Sequence, residues 1–147
     1  MIRYELMNET HVAAVADLEK LCFSDPWSLN SITSELTNRL SLWLVAMDGD
    51  CVVGYVGSQT VIDAADMMNI AVHPDYRRQG IAEALVQNLI SQLKGKNVIS
   101  LMLEVRQSNS PAISLYEGLG FRQVGIRPNY YRNPKENAIL YRKEWAL

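Results

Sequence analysis

The sequence predicts an α/β fold: a mixed, mostly antiparallel sheet of about seven strands with helices on its faces. Three observations carry this. Strand-like and helix-like runs follow one another in the order β-α-α-β-β-β-α-β-α-β-β. One long helical run, Gly80 to Lys94, lies between two apolar strand-like runs, the pattern of a right-handed β-α-β crossover. Asp48-Gly49-Asp50 divides a long β-rich stretch, a hairpin signal that makes its flanking strands antiparallel. With 147 residues, 48% hydrophobic and 20% charged, the chain has the size and composition of one globular domain, residues 1–147.

Each element has its own signal. Ile2 to Met7 alternates weakly and reads as a first strand. Asn8 or Thr10 caps a helix that carries Val12, Val15, Ala16, Leu18 and Leu21 to about Cys22. "SDPWS" breaks it, and Ser28 caps a second helix through Ile32 and Leu36. "LSLWLVAMDGDCVVGYVGSQTVI" gives two strands around the hairpin, and Met67 to Val72 a fourth. Gly80 then opens a helix whose Ile81, Ala82, Leu85, Val86, Leu89, Ile90 and Leu93 share one broad face. Lys94-Gly95 ends it. In "NVISLMLEVR", Ile99, Leu101, Leu103 and Val105 point one way, while Ser100, Met102, Glu104 and Arg106 point the other. Pro111 suits the first turn of a short helix ending at Gly118 or Gly120. Its stripe of Ala112, Leu115, Tyr116 and Leu119 turns Tyr116 inward. Two last strands cover about 121–131 and 138–145.

Composition excludes several classes. The net charge of −2 gives no overall basic field, so no direct nucleic-acid partner is expected, although arginines cluster at 77–78 and 122–132. The start, "MIRYELMNET", lacks an apolar signal core, and no run approaches the ~20 apolar residues of a membrane span. A cytoplasmic location without membrane contact is the expectation. Cys22 and Cys51 lack metal-ligand spacing, so free thiols and no metal site are expected.

The most informative stretch is "VHPDYRRQGIAEALVQNLISQL". A helix N-terminus presents unbonded N–H groups and partial positive charge, and here two arginines precede it. The guest such a start favours is an anion such as a phosphate. Gly80 has no Cβ to keep oxygens off the main chain, and Ala82 keeps the first turn slim.

Arg77-Arg78-Gln79-Gly80-Ile81-Ala82 fits the signature (Q/R)-x-x-G-x-(G/A), and the chain thereby resembles the GCN5-related N-acetyltransferases (GNAT). The runs "CFSDPWS", "NIAVHPDYRRQGIA", "LEVRQSNSPAISLYEGLGF" and "RPNYY" further resemble the bacterial ribosomal-protein-alanine N-acetyltransferase branch, over nearly the whole chain. The resemblance implies the GNAT fold and acetyl-coenzyme A as cosubstrate, its pyrophosphate on the loop Arg77, Arg78, Gln79, Gly80, Ile81 and Ala82. The strand Asn69-Ile70-Ala71-Val72 would pair with the pantetheine arm and splay from the Leu101-to-Val105 strand. A main-chain N–H of Ile70 or Ala71 would polarise the thioester carbonyl. Glu104 is implied as general base, Tyr116 as the acid that protonates the departing thiolate, and Asn109 as a partner of the cofactor arm. Trp27, Arg127, Tyr130 and Tyr131 match acceptor-side positions.

No cysteine lies in such a context, so direct attack in a ternary complex is expected. The acceptor implied is the N-terminal amine, alanine, of a small-subunit ribosomal protein. Acetylation of a small amine (polyamine, antibiotic or amino acid) and a non-catalytic acetyl-coenzyme A-binding partner subunit are the alternatives. The site reads as having one exposed carboxylate base and no second acidic group. Each residue also has a plainer reading: Gly80 as a turn glycine, Glu104 as a strand carboxylate paired with Arg106 or another arginine, Tyr116 as core, and the tyrosine pair as hairpin packing. Pro128, Asn137 and the short connection from Arg132 to Asn137 depart from the branch pattern, and they bear on acceptor choice.

Overall fold

The computed structural model describes residues 1–145. Among these, seven strands form one mixed sheet: β1 (Ile2–Leu6), β2 (Ser41–Asp48), β3 (Cys51–Val61), β4 (Ala64–Val72), β5 (Ser100–Arg106), β6 (Arg122–Tyr131) and β7 (Glu136–Glu144). The helices are α1 (Val12–Cys22), α2 (Leu29–Glu35), α3 (Ile81–Lys94) and α4 (Ser110–Gly118). The strand order is β1-β2-β3-β4-β5-β7-β6, and only β4 and β5 are parallel, joined by the α3 crossover.

Strand β2 is buried on both faces, which is why its sequence is a continuous apolar run rather than an alternating one. Leu42, Leu44 and Ala46 enter the cluster that α3 seals with Ile81, Leu85, Val86, Leu89, Ile90 and Leu93. Trp43, Val45 and Met47 enter the opposite cluster with Val12, Val15 and Leu18 of α1 and Ile32 of α2. Leu101, Leu103 and Val105 of β5 lie on the α3 side, so Met102 and Glu104 face the α1–α2 side.

The hairpin at Gly49-Asp50 and the Ser28 cap, whose hydroxyl accepts the Ser31 N–H, agree with expectation. Two details differ. Helix α1 takes His11 as N-cap, without a side-chain cap bond. Asn8 and Thr10 are engaged in the preceding turn: the Asn8 Oδ1 accepts the Thr10 N–H at 2.8 Å, and His11 Nδ1 accepts the Asn8 N–H at 3.0 Å. Strand β4 starts at Ala64, three residues before Met67, after a turn in which Ile62 has φ +61°. Ala64, Ala65 and Asp66 are weak strand formers, and register with β3 overrides them.

The parallel ladder is short. It has the rungs Ala64↔Ser100, Ala65↔Leu101 and Asp66↔Met102. Past the last rung β4 stays with β3 as far as Val72, and β5 stays with β7 as far as Arg106, with no rung between them. The sheet forks there, as the resemblance implied. A β-bulge lies beside the fork, because Gly57 opposes Asn69 while Ser58 opposes Met67, leaving Met68 as the extra residue.

Candidate active site

The site is built around this fork. Beyond its end, β4 leads through the Pro74–Tyr76 turn to Gly80, the left-handed N-cap of α3 at φ +77°. A Cβ at Gly80 would meet no protein atom within 4 Å, so glycine is required here by φ, and the space above the loop is open. The first bond across the helix start runs from the Ala84 N–H to the Gly80 carbonyl at 3.0 Å, leaving the N–H groups of residues 81–83 without backbone partners. Arg78, also left-handed at φ +63°, makes no hydrogen bond or ion pair among the described residues. Arg77 turns back instead, its Nε 3.4 Å from the Val72 carbonyl and its guanidinium 3.9 Å from Cys22 Sγ. Gln79 is exposed on the same loop.

The open edge of β4 can be assigned by parity. The His73 N–H donates to the Val53 carbonyl, so the N–H of Ala71, two residues before, also faces β3. Those of Ile70 and Val72 face the fork. The Ile70 N–H meets Asn69 Oδ1 at 3.1 Å.

Glu104 stands on β5 one same-face step past the last rung. Its side chain is 28% exposed, and Oε1 lies 3.8 Å from Arg127 Nε. Arg106, the other cation considered for it, pairs with Glu136 at 3.3 Å and stacks on the Tyr131 ring at 4.4 Å. Tyr130 and Tyr131 lie at a bulge of β6. Arg127 opposes Ala138 and Tyr131 opposes Glu136, so Pro128, Asn129 and Tyr130 together face Asn137 alone. Pro128 has no N–H to leave unpaired, and Asn129 takes φ +55°. Asn137 fastens the bulge, accepting the Asn129 N–H at 2.9 Å and donating to Gln107 at 3.2 Å. The tyrosine rings meet edge-on at 5.1 Å. Hydrogen bonding to Glu104, then burial, hold the Tyr130 phenol above its usual pKa. Burial, then the Glu104 charge, push Tyr131 up to about 12.

Tyr116 comes from the other side. It is 4% exposed, belongs to the α3-side cluster and packs edge-on against Phe121 at 5.7 Å. Burial, then the neighbouring Tyr131, raise its phenol pKa well beyond the usual value. Its hydroxyl makes no hydrogen bond among the described residues. Asn109 is the N-cap of α4, its Oδ1 accepting the Ala112 N–H at 3.3 Å. Trp27 is half-buried, its ring edge-on to Trp43 at 5.4 Å, and Trp43 in turn stacks on Tyr55 at 5.9 Å. A Cβ on Gly57 would strike the Trp43 ring at 2.3 Å, so that glycine gives the stack its room.

The profile of the acetyltransferase (GNAT) family matches residues 12–121. The chain belongs to the GNAT acetyltransferases. It is 38% identical over 136 residues to the [ribosomal protein bS18]-alanine N-acetyltransferase of Escherichia coli strain K12, covering 91% of each protein. The crystal structure of the ribosomal-protein-S18-alanine N-acetyltransferase from Escherichia coli superposes with a TM-score of 0.92 at 35% identity, covering 100% of this chain and 96% of that one. A chain of the NatC complex, solved bound to Gag peptide and CoA, superposes at 0.87 with 25% identity and 99% of both chains covered.

The protein is thus an N-acetyltransferase, and two carboxylates of this acetyltransferase were not anticipated from its sequence. Asp66, on the last rung of the ladder, shares the face of Met102 and Glu104. Burial, then the Glu104 charge, raise its carboxyl pKa, while Arg127 lowers it. Glu19 of α1 is fully buried. Its Oε1 accepts the Trp27 N–H at 2.8 Å; its Oε2 accepts Asn69 Nδ2 at 2.6 Å and the Tyr55 hydroxyl. It ties the α1–α2 loop to the bulge of β4. Its sequence signal was present: Val15, Ala16, Leu18 and Glu19 fall on one helical stripe, and a carboxylate there must be bonded. Ser24 Oγ donates to the Asn133 carbonyl at 2.9 Å, so the same loop also touches the β6–β7 connection.

Proposed function

We propose that this enzyme is an acetyl-coenzyme A-dependent Nα-acetyltransferase acting on the N-terminal alanine of a protein, a small-subunit ribosomal protein, in the cytoplasm. One observation carries the catalytic reading: the β4–β5 ladder ends one same-face step before Glu104, while Tyr116 belongs to the cluster on the opposite, α3-side face of the sheet. Such a fork admits a donor on one face and an acceptor on the other. The α3 start fits the donor's pyrophosphate, offering unbonded N–H groups, open space above Gly80 and the unengaged Arg78. Arg77, Gln79, Ile81, Ala82, Val72 and Asn109 complete that end, and Ile70 rather than Ala71 offers the main-chain N–H on the open edge. When bound, acetyl-coenzyme A supplies its acetyl group as a thioester.

Glu104 takes the proton of the acceptor amine. An N-terminal amine has a pKa of roughly 7.7–8.0, so a carboxylate acting directly or through water suffices. Tyr116 keeps its proton at working pH and stands ready to give it to a thiolate. Trp27 anchors the acceptor-side loop through Trp43 and Glu19, and Arg127, Tyr130 and Tyr131 wall the acceptor face. No metal enters this chemistry.

The acceptor assignment is supported by the bacterial relative, which is named for alanine acetylation of bS18 and is matched over 91% of its length. Its test is mass spectrometry of protein N-termini in cells with and without this gene product. Loss of acetylation on one alanine-starting ribosomal protein is the expected result. Unchanged N-termini together with rapid polyamine acetylation in vitro would favour the small-amine reading.

A further inference from the structure

We infer that Asn69 is a positioning residue of the donor site: its side-chain amide, turned by Glu19, holds the Ile70 N–H and must yield it to the thioester carbonyl. The inference rests on the reading of the Ile70 N–H as the group that polarises the thioester. Its first support is a chain of two hydrogen bonds. Asn69 Nδ2 donates to Glu19 Oε2 at 2.6 Å, and Asn69 Oδ1 accepts the Ile70 N–H at 3.1 Å. Turning the amide over would break both. The Ile70 N–H only donates, so it needs the oxygen. Glu19 already accepts the Trp27 N–H and the Tyr55 hydroxyl, so it needs the NH2.

The second support lies two residues along the same edge and involves different partners. The N–H and C=O of one strand residue point the same way, so the Val72 carbonyl also faces the fork. It receives Arg77 Nε at 3.4 Å and Cys22 Sγ at 3.9 Å. Glu19 and Cys22 are three residues apart on α1, and that helix face thus reaches the open edge of β4 twice. The strand is shaped for this contact. Met68 is the extra residue of the β4 bulge, which re-aims the chain just before Asn69. An unpaired strand edge is a liability that proteins cover. Here the cover sits on the groups that a pantetheine arm and its thioester would use.

The consequence is an exchange. A thioester carbonyl arriving at Ile70 meets an N–H that already has an amide oxygen on it, so one hydrogen bond forms as another is given up. The carbonyl therefore adds little to acetyl-coenzyme A affinity. The negative charge that develops on its oxygen during transfer makes it a stronger acceptor, which takes the N–H from Asn69 with a net gain. Asn69 thereby withholds the N–H from the ground state and releases it to the transition state.

Calorimetry with coenzyme A and with acetyl-coenzyme A tests this, because only the second carries the carbonyl. Asn69→Ala frees the N–H and should raise the preference for acetyl-coenzyme A over coenzyme A about two- to tenfold, the range of one net hydrogen bond. Both affinities are measured on one variant, so a loss of stability moves them together and leaves their ratio. An Asn69 that serves only the fold gives the wild-type ratio, and that result would overturn the inference. Glu19→Gln presents an NH2 that lets the Asn69 amide turn over, so it should shift the ratio the same way. It decides the matter where Asn69→Ala does not fold. Ile70→Pro reads the underlying assignment separately, since it deletes an N–H that the β3 ladder does not use. That variant should lose kcat while coenzyme A still binds, and a retained kcat would remove Ile70 as the donor whatever Asn69→Ala does.

Discussion

Glu19 and Asn69 are joined by a 2.6 Å hydrogen bond that links the buried face of α1 to the strand lining the active site. The same carboxylate receives the Trp27 N–H and the Tyr55 hydroxyl, so three donors converge on two oxygens. Burial raises the Glu19 pKa, while the bonds from Tyr55, Trp27 and Asn69 lower it. A glutamine in its place must turn an NH2 toward one donor. Glu19→Gln should therefore cost about 1–3 kcal/mol, and Glu19→Ala, which also leaves a cavity, about 2–4 kcal/mol. Urea denaturation measures both. The loop and the bulge share this anchor, so Glu19→Gln should also raise KM for the peptide. A variant with wild-type stability would mean that the carboxylate does not bind these donors in solution.

The tyrosines give a pH signature. Tyr116 and Tyr131 are held above the ordinary phenol value, each first by burial. In the unfolded chain they ionise near pH 10; in the folded protein they do not. Their contribution to stability is thus complete below about pH 10 and is lost as pH rises through about 12, the value Tyr131 reaches. The urea midpoint should fall steeply above about pH 10, and less steeply in Tyr131→Phe. Turnover should show no alkaline loss from Tyr116 below about pH 10, and Tyr116→Phe should be slow at every pH. An alkaline limb near pH 8 that disappears in Tyr116→Phe would contradict the buried, protonated tyrosine.

Gly80 separates strain from occlusion. Gly80→Ala places its methyl in open space but at φ +77°, a strain of about 1 kcal/mol, with a modest loss of acetyl-coenzyme A affinity. Gly80→Glu adds bulk and negative charge where the proposed site takes the pyrophosphate, and calorimetry should detect no binding by the folded variant. Unchanged affinity in that variant would move the cofactor elsewhere.

The elements were legible because their signals are local. The α3 stripe, the Asp48-Gly49-Asp50 hairpin, the Ser28 cap and the inward Tyr116 each follow from spacing within about ten residues. The fork was legible only through resemblance, since no local pattern says where a parallel ladder stops. What went unread depends on register. Asp66 looks like a polar residue near a turn until its rung with Met102 puts it on the Glu104 face. The β6 bulge at Pro128, Asn129 and Tyr130 is invisible without the pairing to β7, although Pro128 hints at a missing N–H. The β4 start was missed because Ala64-Ala65-Asp66 carries little strand propensity of its own.

The last prediction concerns which amine reacts. A peptide α-amine titrates about two and a half units below a lysine side chain. At neutral pH its neutral fraction is larger by a factor worth roughly 3 kcal/mol before any contact with the enzyme. A carboxylate attracts an ammonium of either kind, so charge alone does not choose between them. Deprotonation does, because the proton of an α-amine is lost far more readily than that of a lysine, whichever group takes it. Space adds a second filter. Arg127 stands 3.8 Å from Glu104 and lies over the Tyr130 ring, which meets Tyr131 edge-on, and the bond from Ser24 to Asn133 brings the α1–α2 loop to the β6–β7 connection. A first residue with a small side chain lets the amine reach the fork where a large one is stopped by these walls. A short peptide beginning with alanine and carrying an internal lysine should be acetylated at its first residue only. Formylating its α-amine should lower the rate at least about a hundredfold, the ratio that the pKa difference sets. Replacing the alanine with tryptophan should raise KM. Continued acetylation of the blocked peptide at its lysine would show that the site does not select the α-amine, and would overturn the claim.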